Sequence, residues 1–179
     1  MTELARFIDR DTIEYVRTYP HPIERVWRAI SDPAEMSVWF SAIQFEPRLG
    51  GAYLALWEEN SPFRGVITAF EPPRFLRFGG WPAGALSYWQ FELSPIGAGT
   101  RMLFRQHIAP SEWVNVHNWP ADPAEHPAGD ANPWRPGTLS GWHVSFDHLG
   151  DLMDGAPLSR VDETALQSRY RAHMLANQP

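Results

Sequence analysis

Residues 12–19 form a run rich in β-branched and aromatic side chains and predict a first strand. After Pro20-His-Pro22, the apolar residues Ile23, Val26, Trp27 and Ile30 recur at helical spacing, and Pro22 suits the first helical position. Asp32-Pro-Ala-Glu35 carries the signals of a second short helix. Asp32 can cap it, Pro33 can start its turn, and Glu35 can complete a capping box. From Ala42 to Ala109 the pattern changes to strands over residues 42–46, 52–59, 63–70, 75–79, 86–93 and 101–109. Turn chemistry such as Leu49-Gly-Gly51, Glu71-Pro-Pro73 and Ser94-Pro-Ile-Gly-Ala-Gly99 separates them, with no intervening helix, which predicts an antiparallel meander. In the fifth strand Trp89, Phe91 and Leu93 alternate with Tyr88, Gln90 and Glu92, so one face of the sheet is apolar.

Residues 110–136 are rich in Pro, Asp and Ala, carry Trp113, Trp119 and Trp134, and show no period. A loop of this length is a lid, a binding loop or disordered chain. Residues 138–154 predict the longest helix, and residues 161–175 a C-terminal one with Leu166, Tyr170 and Met174 on one side. On the long helix, Trp142, Phe146, Leu149 and Met153 fall within about 60° of one another and define the buried stripe. His143 and Asp147 share one flank at i, i+4, and His148 stands on the other flank, about 140° from His143. These groups cannot converge on one ion from this helix alone. His143 with Asp147 reads either as an imidazole oriented by a carboxylate or, the blander expectation, as a flank ion pair worth a few tenths of a kcal/mol.

Composition narrows the picture. A chain of 179 residues can bury about 70% of the surface its unfolded form exposes, which suits one domain spanning residues 1–179, with a core of 12–155 and a C-terminal extension of 156–179. The absence of cysteine excludes disulfides, thiolate metal sites and a cysteine nucleophile. A net charge of −6 without a Lys/Arg cluster argues against nucleic acid as a partner, since phosphate contacts need a basic face. No apolar run approaches a membrane span, so a cytoplasmic protein is expected. Nine tryptophans and 17 prolines leave open whether the aromatic residues fill a core or line a pocket.

Sequence signatures of chemistry are missing: there is no Gly-rich phosphate loop, nucleophile elbow or zinc-binding helix motif. No cofactor or metal is implied. Glu58-Glu59 offers two carboxylates at a strand end, but neighbours on a strand point to opposite faces.

Taken in order, Pro22-Ile-Glu-Arg-Val-Trp27 with Ser31-Asp-Pro33, Leu49-Gly-Gly51, Arg64-Gly65 to Glu71-Pro-Pro-Arg-Phe-Leu76, Gly99-Thr-Arg101 to His107, and Gly141-Trp142 resemble START-like SRPBCC proteins. Within that superfamily they are similar to the activator of heat-shock protein 90 ATPase homology family. The resemblance covers residues 12–155 and implies an α+β helix-grip fold: a curved antiparallel sheet wrapped around a long C-terminal helix, with a hydrophobic cavity between them. The chaperone activators proper carry a further N-terminal domain, for which this chain has no length.

The resemblance implies a binding protein for a hydrophobic small molecule, with cavity walls from Trp39, Phe40, Trp57, Trp89, Phe91, Met102, Phe104, His107, Trp142 and Phe146. The alternatives are a cyclase- or hydrolase-like enzyme and a chaperone or self-association module, the latter as a homodimer anchored by loop tryptophans. For an enzyme, His107 is the first acid/base candidate because it matches the recurrent family His after the last strand; His143 and Glu58 follow it.

Overall fold

The computed structural model describes residues 3–56, 62–80, 86–110 and 134–177. In chain order these hold β1 (Arg6–Asp9), β2 (Thr12–Tyr19), α1 (Ile23–Ser31), α2 (Pro33–Trp39), β3 (Ala42–Phe45), β4 (Ala52–Leu56), β5 (Pro62–Glu71), β6 (Phe75–Gly79), β7 (Tyr88–Ile96) and β8 (Gly99–His107). Two helices follow, α3 (Pro136–Asp154) and α4 (Glu163–Ala176). The strands form one open antiparallel sheet in the order β1-β2-β8-β7-β6-β5-β4-β3. It is the α+β helix-grip architecture.

The two faces of the sheet follow from the register. Tyr15 stands opposite Phe104, which stands opposite Phe91, and Arg17 opposite Met102, which stands opposite Leu93. Trp89 lies opposite Gln106 and Phe78, in the same row as Ile13. Because cross-strand partners share a face and sequence neighbours do not, these residues form the inner face under α3. The outer face carries Glu14, Arg105, Gln90 and Arg77 in one row, joined by an Arg105–Glu14 ion pair at 2.9 Å and an Arg77 Nη2–Gln90 Oε1 bond of 2.7 Å.

The α3 helix buries Trp142, Phe146, Leu149 and Met153, the stripe its periodicity predicts. Two β2 tyrosines fix its height above the sheet. Tyr15 donates to the Leu139 carbonyl at 2.6 Å, and Tyr19 to the Phe146 carbonyl at 2.9 Å. The helix stops at Gly155, whose φ of 66° lets its N–H turn back to the last carbonyls.

Two local expectations are corrected. Asp32 does cap α2, accepting from Ala34 N–H at 2.8 Å, but Glu35 does not close a capping box. The Asp32 N–H is already bonded to Arg28 O at the end of α1, so the Glu35 carboxylate turns to Arg25 at 2.6 Å and Arg28 at 2.7 Å and clamps the two helices together. Pro22 is the N-cap of α1 and not its first helical residue. The β1 edge strand is an addition that sequence patterning does not show, since three of its four residues are exposed and no alternation marks it.

Phe146 touches Tyr15, Trp39, Phe104 and Trp142 and is fully buried. Phe146→Ala should therefore cost about 3–5 kcal/mol in urea unfolding. Val38→Ala, on the exposed side of α2, should cost less than about 0.5 kcal/mol.

Candidate functional site

The interior beneath α3 is packed ring against ring. Phe104 lies 4.3 Å from Trp142 and 5.0 Å from Phe146, and Phe91 lies 5.1 Å from Phe104 and 6.3 Å from Trp39, centroid to centroid. Trp39 is locked by an indole N–H bond of 2.8 Å to Ala29 O. Of the expected cavity walls, Trp39, Phe91, Met102, Phe104 and Phe146 are thus side chains of a filled core. The hydrophobic cavity expected between sheet and helix is not open at this level, because these rings occupy it.

One end of this packing reaches the surface. Phe40, just past the end of α2, stacks on Trp142 with centroids 4.9 Å apart and planes at 16°, and Trp89 closes a third side at 5.0 Å from Phe40 and 5.4 Å from Trp142. Phe40 and Gln106 stay partly open to solvent here. Two polar groups are set into the aromatic wall. The Trp142 indole N–H donates to Gln106 Oε1 at 2.7 Å, and the Trp89 indole N–H to the Tyr53 hydroxyl at 3.4 Å. Burial raises the Tyr53 pKa, so its phenol stays neutral. Within an amide only the oxygen accepts from an indole N–H, so the Trp142 bond orients Gln106 and leaves its two Nε2 hydrogens as donors at the aromatic end. Phe40, Trp89 and Trp142 belong to the expected list; Gln106 and Tyr53 do not. The one sequence signal for Gln106 was its place at i+2 from Phe104 on the apolar face, where an amide is out of pattern. Trp57 and Glu58, with Trp113, Trp119, His117 and His126, lie outside the described residues.

The histidine candidates fall elsewhere. His107 pairs in register with Thr12 and Tyr88 on the outer face, where its Nδ1 is 3.0 Å from Thr12 Oγ1 and its ring stacks on Tyr88 at 5.4 Å. It points away from α3, because the inward position at this end of β8 belongs to Gln106.

His143 is not a wet flank residue. It is 4% exposed, covered by α4, and its Nδ1 lies 2.9 Å from the Tyr170 hydroxyl. Ala5 N–H donates to that hydroxyl oxygen at 3.4 Å, and the other ring nitrogen, Nε2, lies 3.8 Å from an Asp147 oxygen. Burial, then the Arg17 and Arg169 charges, lower the His143 pKa from 6.5 to about 4. His148 bonds the Ser159 carbonyl at 3.0 Å, and His21 pairs with Asp154 at 2.7 Å. Among the described residues no three His, Asp or Glu side chains gather as a metal cluster, and no helix is long and apolar enough to cross a membrane.

An open antiparallel sheet gripping a long helix is the START-like helix-grip fold. Residues 20–154 match the family described as Activator of Hsp90 ATPase homolog 1-like protein, and the chain belongs to it. Among solved structures, CalU16 from Micromonospora echinospora is similar at 20% identity with a TM-score of 0.66, covering 98% of this chain and 94% of its own. A conserved protein of unknown function, EF2215 from Enterococcus faecalis, is 12% identical with a TM-score of 0.71, over 98% of this chain and 91% of its own. MLL2253 from Mesorhizobium loti is 22% identical with a TM-score of 0.61, over 82% of this chain and 99% of its own. These likenesses show the fold. No curated protein matches in sequence.

His143 gives a pH signature. Its folded pKa of about 4 lies below the unfolded 6.5, so the unfolded chain binds the extra proton and stability falls as pH drops from 6.5 to 4. The slope approaches about 1.4 kcal/mol per pH unit midway. Urea midpoints at pH 7 and pH 4.5 should diverge more for the wild type than for His143→Gln. Equal divergence would remove His143 as the source.

Proposed function

We propose that the protein binds a small, uncharged aromatic molecule at the Phe40/Trp89/Trp142 end of the helix grip, with Gln106 as its polar contact. The reading rests on one observation above the others. The stacked Phe40–Trp142 pair meets an amide whose Nε2 hydrogens have no partner among the described residues, at a place where Phe40 and Gln106 stay partly open to solvent. Flat rings favour a flat ligand through offset stacking, worth about 0.5–1.5 kcal/mol per pair beyond burial. The wall offers no formal charge, since Tyr53 is held neutral and Gln106 is an amide, so an ion would lose its hydration without compensation. The free amide donors favour a ligand carrying a carbonyl or another acceptor.

Family membership supports ligand binding in general terms. Neither described histidine candidate serves this end: His107 is on the outer face and His143 is bonded to Tyr170 under α4. The reading is therefore of binding and not of catalysis.

Titration of tryptophan fluorescence with 2-acetylnaphthalene and with 2-ethylnaphthalene tests it. The acetyl compound should bind more tightly to the wild type. Gln106→Met should bring the two together, weakening the acetyl compound roughly fivefold, the worth of one hydrogen bond. Trp142→Ala should abolish binding of both. Wild-type protein that binds neither compound would contradict the reading.

A further inference from the structure

On the opposite flank of α3 the fold buries a cation with no counter-ion among the described residues. Arg17 projects from the inner face of β2 and is 6% exposed. Its Nη1 donates to the Glu3 carbonyl at 2.9 Å and to its neighbour Val16 at 3.0 Å. Among the described residues its Nε and Nη2 have no hydrogen-bond partner. The guanidinium carbon lies over the rings of Tyr15 at 5.4 Å and Phe146 at 5.8 Å, which attract the charge but accept none of its remaining protons in a planar bond. Buried charges in proteins are paired and buried donors are bonded, so two unspent donors on one arginine call for an explanation.

The identity of the unspent atoms is informative. Nη2 is the terminal nitrogen on the same side as the Nε hydrogen, so together they form one edge of the guanidinium. That edge presents two parallel N–H bonds at the spacing of the two oxygens of a carboxylate. Other polar groups nearby are committed. The Tyr15 and Tyr19 hydroxyls donate to the Leu139 and Phe146 carbonyls, and the Tyr170 hydroxyl is bonded to His143. Burial raises the pKa of all three phenols, so none supplies a negative charge. The Asp147 carboxylate lies against His143 at 3.8 Å.

A groove lies on the same flank of α3, outside the His143 layer. A groove of about 350 Å³ runs between α3 and α4, with His143, Asp147 and Arg169 on its polar side and Val161, Ala165 and Leu166 on its apolar side. His143 forms part of the groove wall, and the Arg17 charge is one of the causes, after burial, that lower its pKa.

We propose that Arg17 anchors a second small-molecule site, for a monocarboxylate, entered through the α3–α4 groove past His143. The carboxylate takes both free edge donors of Arg17, and its carbon chain lies along Val161, Ala165 and Leu166. A phosphate dianion fits less well. Only one donor edge is free, and the Asp147 and Asp162 carboxylates at the groove repel a second negative charge. The site is independent of the aromatic end, from which α3 separates it.

Thermal unfolding at pH 7 and fixed ionic strength, with chloride replaced stepwise by formate, acetate or phosphate, tests the proposal. Formate and acetate should raise the wild-type Tm saturably, by roughly 5 °C at a hundredfold excess over Kd, and phosphate should raise it less. Arg17→Met, which removes the buried charge and keeps an apolar stem, should unfold at the same temperature in every salt. The wild-type Nε–H resonance of Arg17 should shift along the same formate titration, a readout that does not depend on the variant folding. A wild-type Tm equal in formate and chloride, or a formate response kept by Arg17→Met, overturns the site.

Discussion

The contact between α3 and the inner face of β2, β8 and β7 is the constraint on which the rest depends. An amphipathic helix and a one-sided sheet each expose apolar surface until they meet, and the aromatic stripe of α3 makes that meeting specific. Phe104 is the hub, reaching Trp142, Phe146, Phe91 and Tyr15. Burying side chains of this size contributes on the order of 1.5–3 kcal/mol each. The Tyr15 and Tyr19 bonds to helix carbonyls then set the position of α3 along the sheet, which hydrophobic contact alone would leave free to slide.

Because the middle of α3 is packed solid, polar character is left to its two flanks. On one flank the aromatic packing ends at Phe40, Trp89 and Trp142 and meets Gln106. On the other, α4 closes over His143 through Tyr170 and leaves Arg17 beneath. The neutral amide suits an uncharged ring with an acceptor, and the bare guanidinium edge suits a carboxylate. One helix thus divides the interior into two chemically different environments, and each holds a donor group that no described residue accepts from.

Much of the fold was legible in the sequence, for physical reasons. Strand alternation, the turn chemistry between strands and the α3 stripe are local consequences of burial, and each appears where the pattern puts it. The misses share a different cause. Strand β1 lacks an apolar face, and Glu35 chose its arginines only because Asp32 had already spent its N–H on Arg28. His107 and Gln106 are sequence neighbours, so a reading without cross-strand register could not say which of them faces inward. His143 read as a solvated flank because a helical wheel carries no knowledge of α4, whose Tyr170 covers it. Arg17, in a strand read only for its β-rich composition, gave no sign of being buried.

In the proposed binding mode Trp89 and Trp142 face a ligand while Trp39 belongs to the sealed core. Indole N–H resonances of uniformly ¹⁵N-labelled protein, followed as 2-acetylnaphthalene is added, test it most directly. Saturable shifts are expected for Trp142 and Trp89 with one common Kd, and none for Trp39, whose N–H is committed to Ala29 inside the core. Unmoved Trp142 and Trp89 resonances, or shifts confined to other tryptophans, would contradict it.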